Sequence, residues 1–411
     1  MKACVFTLGC KVNEVESASF LSALEARGYE VTDTLCHADL YILNTCAVTA
    51  EAEKKSRQAI ARIKKYNPRA RIVVCGCAAQ NHPEAFFGKE GVGLVTGAMH
   101  KRGVLDHLGE TGVFLEEEAS FCELPAPKQT KTRAFVRIQD GCNRFCSYCL
   151  IPYLRGRTRS RASDAVVREA EGLTAREIVL TGIDITSYRD GENGLGELLL
   201  RLKHLPARIR LGSLEEGIVT REFLEKMCAA GNVCEQFHLS LQSGSDAVLK
   251  KMNRRYTRAQ YLEACALIYE YFPDAAITTD IIVGFPTETE EDFLASLSMI
   301  EEAGLARVHA FPYSRREGTN AAKLPDSSAS VKKERMGRML AAAQAAEERY
   351  LARFLGRTLT ALFEEEGGYT QNYIRVYADG AREGGMYEVR LLAREKDGCR
   401  AEIIREIQEE I

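Results

Sequence analysis

Short apolar runs alternate with amphipathic stretches in the first part of the chain. The apolar runs are ACVFTLG, DLYILNT and ARIVVCG. Between them lie SASFLSALEARG and AEKKSRQAIARIKKY, in which apolar residues recur at helical spacing. Strands that alternate with helices in this way usually lie side by side in a parallel sheet. The pattern therefore predicts a parallel α/β domain at the N-terminus.

A longer series of the same kind follows Arg133. Amphipathic helices such as REFLEKMCAAG and EEDFLASLSMIEEAG separate six candidate strands. The strands are RAFVRIQ, REIVLTG, RIRLGS, QFHLSLQ, ITTDIIVGF and RVHAFPYS. Six strand-helix units predict a partial (βα)6 barrel, an incomplete version of the parallel barrel whose active site lies on the loops after the strands.

The remaining segments differ in pattern. LPAPKQTKT, at 124–132, is rich in Pro, Lys and Thr and predicts a linker. A long helix is expected from about Ser330 to Phe354, and the alternating segments after it predict a small β-barrel. We therefore expect an α/β protein with three domains, at 1–112, 128–345 and 347–411.

Composition excludes several classes of protein. The chain has 411 residues, 45% of them hydrophobic, and contains 14 Cys and no Trp. The N-terminus lacks the basic flank and apolar core of a signal peptide, and no run is long enough to span a membrane, so we expect a cytoplasmic protein that does not bind membranes. A net charge of −3 gives no global positive field, so any nucleic-acid binding must depend on local patches.

The cysteines Cys142, Cys146 and Cys149 have the spacing C-x3-C-x2-C directly after the first strand of the second series. Three thiolates on one loop can hold three corners of a [4Fe-4S] cube and leave the fourth iron open to a ligand. Zinc is the alternative, but a structural zinc site needs four ligands, and no His or second Cys pair stands nearby. The spacing favours a cluster over zinc or simple packing.

A second set of cysteines follows the three N-terminal strands: Cys10, Cys46 and Cys77. Ligands of open parallel sheets gather at the carboxyl ends of the strands, so these residues can meet there. Cys75 is an alternative to Cys77, because strand alternation would place both on one face. Packing is the other alternative, since free Cys is commonly buried. The seven remaining cysteines are expected to pack in cores: Cys4, Cys36, Cys122, Cys228, Cys234, Cys265 and Cys399.

Longer strings of residues resemble a known family. They are TLGCKVNEVES, LNTCAVT, CGCAAQ, the cysteine loop, HLSLQSGSDAVLKKMNRRYT, TDIIVGFP and HAFPYSRREGT. Together they resemble the methylthiotransferases of the radical S-adenosylmethionine (SAM) superfamily, nearly end to end, and the last segment is similar to an RNA-binding TRAM domain. Two departures are Thr287, where a Gly is usual, and Cys75, which is normally another residue.

The resemblance implies a function as well as a fold. TLGCKVN resembles the branch that adds a methylthio group to C2 of N6-threonylcarbamoyladenosine at position 37 of tRNA. Alternatives are isopentenyladenosine at the same position, ribosomal protein S12, or an iron-sulfur RNA-binding protein without catalysis. The implied cofactors are SAM and two [4Fe-4S] clusters, held by Cys142, Cys146 and Cys149 and by Cys10, Cys46 and Cys77. An electron donor such as flavodoxin or ferredoxin and a sulfur donor are the further expected partners.

Other residues are assigned to binding. The resemblance suggests that SAM is bound by Tyr148, Gly182, Ser213, Gln242 and Gly284. Local basic runs are candidates for RNA contact: Arg155, Arg157, Arg159 and Arg161, then Lys250, Lys251, Arg254 and Arg255, with Tyr373 and Arg375 in the last segment. A solvated surface explains such runs equally well, and Arg157 is also a candidate for the SAM carboxylate. His238 and His309 are expected to be hydrogen-bonded core residues rather than proton carriers.

Overall fold

The computed structural model describes residues 1–115, 117, 119–128 and 132–408. The linker predicted at 124–132 and the C-terminal segment predicted to 411 therefore lie partly outside the described residues. None of the described helices is long and apolar enough to cross a membrane.

The N-terminal segment forms a six-stranded parallel sheet with the order β2-β1-β3-β4-β5-β6. Its elements are β1 Lys2–Thr7, α1 Lys11–Ala26, β2 Glu30–Thr32, β3 Leu40–Thr45, α2 Ala50–Tyr66, β4 Arg71–Gly76, α3 Cys77–Asn81, β5 Val92–Thr96, α4 Gly103–Asp106 and β6 Gly112–Phe114. The three expected strands and both expected helices are present, and β2, β5 and β6 extend the sheet. β3 is buried at every position, as expected for a parallel strand covered on both faces.

The strand order brings three loops together. β1 and β4 pair with β3 on either side, all in parallel, so the carboxyl ends of these strands lie at one edge of the sheet. Gly76 ends β4 with φ of 99°, and a Cβ there would lie 2.5 Å from the Thr45 carbonyl oxygen. Only glycine allows β4 to turn into α3 this close to the neighbouring chain.

The six predicted strands of the central segment are confirmed. They form two parallel sheets, β7-β10-β11 and β12-β13-β14-β15. The third predicted strand is interrupted at Gly212, so its first half pairs with β10 and its second half pairs with β13. The elements are β7 Arg133–Arg137, β8 Gln139–Asp140, α5 Ile151–Leu154, β9 Arg159–Ser160, α6 Ser163–Glu171, β10 Glu177–Thr181, α7 Leu195–Leu202, β11 Arg208–Leu211, β12 Ser213–Leu214, α8 Arg221–Ala230, β13 Gln236–Leu239, α9 Asp246–Lys251, α10 Arg258–Tyr271, β14 Ala276–Val283, α11 Glu290–Glu302, β15 Arg307–Pro312 and α12 Ala329–Ala352.

Alternation along these strands separates two environments. Ile178, Leu180, Phe237 and Leu239 belong to the large core between the strands and their helices. Residues that alternate with them, such as Glu177 and His238, face the inside of the partial barrel. The inner face therefore carries polar residues, while the helix-facing side carries the hydrophobic core.

The C-terminal segment closes into a five-stranded barrel with the order β16-β17-β18-β20-β19. Its strands are β16 Thr358–Glu364, β17 Gly367–Thr370, β18 Arg375–Tyr377, β19 Met386–Glu395 and β20 Gly398–Glu406. α12 leads directly into this barrel, and Tyr350 near its end donates to the carbonyl oxygen of Asn372 at 3.2 Å. The predicted small β-barrel is confirmed.

Candidate functional site

The C-x3-C-x2-C loop lies between β8 and α5, at the carboxyl end of the first barrel strand. Each of its three sulfurs accepts a hydrogen bond. The Arg144 amide donates to Cys142 Sγ at 3.4 Å, and the Ile151 amide donates to Cys149 Sγ at 3.4 Å. Arg254 Nη1 donates to Cys146 Sγ at 3.4 Å. Donors directed at sulfur stabilise the thiolate, which is the form that binds metal.

The entry to this loop requires a glycine. Gly141 has φ of 70°, and a Cβ there would lie 2.0 Å from the Arg157 carbonyl oxygen. The Cys142 amide donates to the neighbouring Gly156 carbonyl at 3.1 Å. The chain thus folds back on itself beside the cysteine loop.

In the cluster-free protein the thiols of Cys142 and Cys149 are protonated at neutral pH. Burial, with the nearby Cys146 charge, raises the pKa of Cys149 to about 12. Burial also raises the pKa of Cys142 to about 12. Binding of iron must therefore displace protons, as is general for thiolate sites.

The second set of cysteines lies at the edge of the N-terminal sheet. Cys10 immediately precedes α1, Cys46 follows β3, and Cys77 is the first residue of α3. A Cβ on Gly9 would lie 3.1 Å from Cys46 Sγ, which shows how closely the Cys10 loop approaches Cys46. Burial raises the pKa of Cys46 to about 11, and the charges of Cys77 and Cys10 contribute. The three thiols are therefore neighbours, although they are distant in sequence.

Cys75 occupies a different environment from Cys77. The expectation that both lie on one face of a strand is wrong, because β4 ends at Gly76 and Cys77 begins a helix. Cys75 is fully buried and packs with Ala3, Val5 and Phe20, whereas Cys77 packs in a separate core. Cys77 is thus the better placed candidate of the two.

The two cysteine sets adjoin each other. The charge of Cys77 contributes to the raised pKa of Cys149, on the other loop. Leu150 and Leu154, which follow Cys149, pack in the same core as Cys77 and Ala78. The edge of the N-terminal sheet and the rim of the partial barrel therefore meet at the cysteines.

The donors of each set, three cysteine thiols, suit iron-sulfur clusters, which thiolates hold. Among the described residues, no three His, Cys, Asp or Glu side chains are grouped for a single ion. Arg155 Nε, buried and without a hydrogen-bond partner among the described residues, is a donor that a bound cluster could satisfy.

The residues assigned to SAM lie near the same rim. Gly182, Gln242 and Gly284 follow β10, β13 and β14, and Ser213 begins β12 and is exposed. Tyr148 lies on the cysteine loop, with its ring centroid 6.4 Å from that of Phe285. Their part in binding SAM stays a prediction. Thr287, the departure from the family pattern, has φ of 68°, a conformation that glycine adopts more readily.

Several of the expected RNA contacts are buried. Arg155 is 0% exposed and Arg159 is 7% exposed, so neither can contact RNA in this structure. Arg161 is bound to Glu123 and Glu169. A run of alternating arginines suggested an exposed loop, but acidic side chains from other elements surround most of it.

The second basic run also contains both buried and exposed side chains. The Arg254 side chain is 5% exposed and pairs with Glu215, whereas Lys250, Lys251 and Arg255 are exposed. In the first run Arg157 is exposed and lies over the Phe145 ring at 4.5 Å. These four cations are the basic residues of the two runs that remain open to a partner.

The two candidates for RNA contact in the C-terminal segment, Tyr373 and Arg375, make contacts within the protein. Tyr373 stacks on Tyr369, with ring centroids 4.9 Å apart, and Arg210 lies over Tyr373 at 5.1 Å. Arg375 binds Asp397 at 2.9 Å. These contacts leave both side chains half-buried and engaged within the protein.

Sequence reasoning missed an ionic group that closes the bottom of the partial barrel. Arg208 and Arg210 bind the buried Glu177 at 2.6 and 2.9 Å. Arg208 also donates to the Tyr369 carbonyl at 2.7 Å, and Arg210 donates to that of Thr370 at 3.0 Å. The alternation in RIRLG, with two charges on the face of a strand, was the available signal. These contacts join the C-terminal barrel to the partial barrel.

The two strand histidines face the inside of the partial barrel. His238 Nε2 lies 3.4 Å from Asp280 Oδ2, and its Nδ1 lies 3.0 Å from Thr278 Oγ1. The ring centroids of His238 and His309 are 6.0 Å apart. Burial lowers the pKa of His309. His238 is thus hydrogen-bonded, as expected from the sequence, but both histidines are half-buried on the inner face of the partial barrel and lie outside the hydrophobic core.

Two family models match separate parts of the chain. A model described as "Radical SAM superfamily" matches residues 136–300. A second, described as "Uncharacterized protein family UPF0004", matches residues 2–97. Each match contains one of the two cysteine sets.

Comparison with solved structures identifies the fold. Radical SAM methyltransferase TsrM from Kitasatospora setae has a TM-score of 0.58 at 16% identity, covering 78% of this chain and 77% of that one. The cobalamin-dependent radical SAM enzyme OxsB, in its apo form, has a TM-score of 0.54 at 13% identity, covering 85% of this chain and 56% of that one. At these identities the likeness shows a shared fold alone.

Curated relatives match nearly the whole chain. "Threonylcarbamoyladenosine tRNA methylthiotransferase MtaB" of Bacillus subtilis is 35% identical over 98% of this chain and 97% of the relative. The protein of the same name in Aquifex aeolicus is 36% identical over 94% of this chain and 98% of the relative. "tRNA-2-methylthio-N(6)-dimethylallyladenosine synthase" of Staphylococcus haemolyticus is 34% identical over 92% of this chain and 79% of the relative. The chain therefore belongs to the methylthiotransferase family of the radical SAM superfamily.

Proposed function

We propose that the protein adds a methylthio group to C2 of N6-threonylcarbamoyladenosine at position 37 of tRNA. The observation that carries the proposal is the pair of adjoining cysteine sets, Cys142, Cys146 and Cys149 beside Cys10, Cys46 and Cys77. Relatives named for this activity, 35% and 36% identical, support the choice of substrate.

As a member of this family the protein uses SAM and two [4Fe-4S] clusters. Three cysteines leave one iron of each cube without a protein ligand. The hydrogen on C2 of a purine is too weakly acidic for any side-chain base to remove. The bound cluster and SAM would supply the radical reactivity that removes it.

The residues of the chain have distinct roles in this proposal. Cys142, Cys146 and Cys149 hold the cluster that binds SAM. Cys10, Cys46 and Cys77 hold the cluster that carries the sulfur to be inserted. Tyr148, Gly182, Ser213, Gln242 and Gly284 line the SAM site. Backbone amides and Arg254 stabilise the thiolates of the first set.

Each of the three predicted domains has its own role in this proposal. Residues 1–112 carry the sulfur-donating cluster, 128–345 form the radical SAM core, and 347–411 form a TRAM-like RNA-binding domain. The exposed cations Arg157, Lys250, Lys251 and Arg255 are available for tRNA phosphates. A reductase such as flavodoxin or ferredoxin and a separate sulfur donor complete the reaction, and the tRNA substrate favours the cytoplasm.

An assay with alternative substrates tests the proposal. The protein is reconstituted anaerobically with iron and sulfide, reduced, and incubated with SAM and tRNA that carries threonylcarbamoyladenosine. Parallel reactions contain tRNA with isopentenyladenosine, or ribosomal protein S12. Mass spectrometry should detect a methylthio group on threonylcarbamoyladenosine alone. Modification of either other substrate instead, or of none while SAM remains intact, would contradict the proposal.

A further inference from the structure

A buried ionic group lies between the two cysteine sets. It consists of Glu16, Lys101, Arg137, Asp140 and Arg155, each 5% exposed or less, and we call it the buried ion network. Glu16 lies 2.9 Å from Lys101 Nζ, 2.9 Å from Arg155 Nη1 and 3.3 Å from Arg137 Nη1. Burial of several charges at one point is costly, and buried ion pairs seldom stabilise a fold more than apolar packing would. Stabilisation of the fold alone therefore does not account for this network.

Arg155 connects the segments that carry the cysteines. Its Nη1 lies 2.9 Å from Glu16 Oε1 and 2.9 Å from Asp140 Oδ1. Its Nη2 donates to Asn13 Oδ1 at 2.8 Å. Asn13 and Glu16 belong to the first turns of α1, directly after Cys10, and Asp140 stands two residues before Cys142. One guanidinium thus ties the start of one cysteine segment to the start of the other.

Positive charge exceeds negative charge at this point. Within the described part of the chain, the carboxylates of the network, Glu16 and Asp140, are in contact with Lys101, Arg137 and Arg155. Arg159 Nη2 lies 3.5 Å from Asp140 as well. A buried excess of cations requires anions nearby. Deprotonation of Cys77 and Cys10 on binding a cluster would supply such anions, and the charges of both thiolates would act on Arg155.

One hydrogen-bond donor of Arg155 is also unsatisfied within the described part of the chain. Its Nε is buried and has no hydrogen-bond partner among the described residues. A buried N–H without an acceptor costs about 1 to 3 kcal/mol. A cluster on Cys10, Cys46 and Cys77 would bring sulfur acceptors to this region.

We propose that Arg155 is a positioning residue for the cluster held by Cys10, Cys46 and Cys77. It fixes that cluster against the C-x3-C-x2-C loop, supplies positive charge that favours the reduced state, and donates a hydrogen bond to the cluster or its thiolates. This inference rests on the proposed function, because it assigns a role within the same site.

The proposal makes predictions of opposite sign for two neighbouring substitutions. Positive charge beside a cluster stabilises its reduced, more negative state and raises the reduction potential. Arg155→Met removes a cation and should lower the potential of the N-terminal cluster. Glu16→Gln removes a carboxylate that offsets Arg155 and should raise it. A purely structural role would not produce shifts in opposite directions.

The potential is measured by anaerobic redox titration with electron paramagnetic resonance. The full chain carries Cys142→Ala, Cys146→Ala and Cys149→Ala as background, so that the N-terminal cluster alone contributes to the signal. Arg155→Lys, which keeps the charge, should restore much of the potential lost in Arg155→Met. Arg157→Met, an exposed arginine two residues away, is the matched control and should leave the potential unchanged.

Separate controls test whether the variants fold and whether the proposed function is correct. In Arg155→Met, Glu16 keeps Lys101 and Arg137, so no carboxylate of the network is left unpaired, and circular dichroism should show a folded chain. Equal potentials with and without Arg155→Met in the Cys→Ala background, or shifts of one sign for Arg155→Met and Glu16→Gln, would overturn the inference. Failure of the wild type to modify tRNA would instead overturn the proposed function, whatever the potentials are.

Discussion

Arg254 Nη1 donates a hydrogen bond to Cys146 Sγ at 3.4 Å, across the rim of the partial barrel. The same guanidinium donates to the Ser240 carbonyl at 3.0 Å and pairs with Glu215. Cys146 and Arg254 stand 108 residues apart in the chain. Arg254 therefore contacts the cysteine loop directly. Its place in a basic run predicts a contact with RNA instead.

Substitution of Arg254 by Met should slow SAM cleavage by roughly 10- to 100-fold, the usual cost of losing a partner of a metal ligand. The measurement is formation of 5′-deoxyadenosine by the reconstituted protein. Arg255→Met, at the exposed neighbouring position, should cleave SAM at the wild-type rate. Unchanged cleavage in Arg254→Met, with weaker tRNA binding and a smaller salt slope, would show that Arg254 contacts RNA after all.

The choice between Cys75 and Cys77 can be made by iron analysis. Cys77→Ser should lose about half of the cluster iron, because one of two cubes loses a ligand. Cys75→Ser should keep the iron, since Cys75 is packed in the core with Ala3, Val5 and Phe20. SAM cleavage should continue in both variants, and tRNA methylthiolation should fail in Cys77→Ser only. The reverse pattern of iron loss would make Cys75 the ligand.

Thiol alkylation in the cluster-free protein should depend steeply on pH. Burial raises the pKa of Cys142 and Cys149 to about 12 from the ordinary value of 9.0. Because the thiolate reacts, the rate should rise about tenfold for each pH unit up to at least about pH 10. Peptide mapping by mass spectrometry resolves the individual cysteines. In urea the same residues should reach a plateau near the ordinary value, and a similar plateau in the folded protein would contradict the raised pKa.

Glu177 should make the free energy of unfolding depend on pH in the acid range. Burial by itself would raise its pKa, but Arg210 and Arg208 outweigh burial and lower it from 4.5 to about 2. A lowered pKa in the folded state stabilises the protein above the unfolded value, by roughly 3 kcal/mol for a shift of this size. This contribution should be lost as pH falls from about 4.5 to about 2.

The test compares Glu177→Gln with the wild type by urea denaturation. Circular dichroism is the suitable probe, since the chain has no Trp. The variant should be less stable at pH 7 and should lose less stability toward acid. Glu270→Gln, in an exposed pair with Arg221, is the control and should resemble the wild type. Equal acid dependence of Glu177→Gln and the wild type would refute the role of this network.

The elements whose pattern is local could be predicted from the sequence. Alternating apolar residues identified all six barrel strands, and the spacing of Cys142, Cys146 and Cys149 identified the cysteine loop. The proximity of Cys10, Cys46 and Cys77 could be predicted only by assuming a strand order. It depends on the order of β1, β3 and β4 in the sheet. That order places β3 between the other two.

Burial of charge could not be predicted in the same way. Arg155 belongs to an alternating arginine run on a loop, which suggests a surface, yet its partner Glu16 stands 139 residues away. The alternation of Arg208 and Arg210 along a strand indicates two charges on one face, but it does not identify their partners, because the carbonyls they bind come from residues 369 to 371. Such contacts form only when separate segments pack, so a local pattern does not predict them.

The most direct test of the account uses tRNA from cells with and without this protein. The tRNA is digested to nucleosides and analysed by mass spectrometry. The account predicts that methylthio-threonylcarbamoyladenosine disappears when the protein is removed, that threonylcarbamoyladenosine accumulates, and that the wild-type chain but not Cys146→Ala restores the modified nucleoside. In a host with no other enzyme of this specificity, an unchanged level of methylthio-threonylcarbamoyladenosine would contradict it.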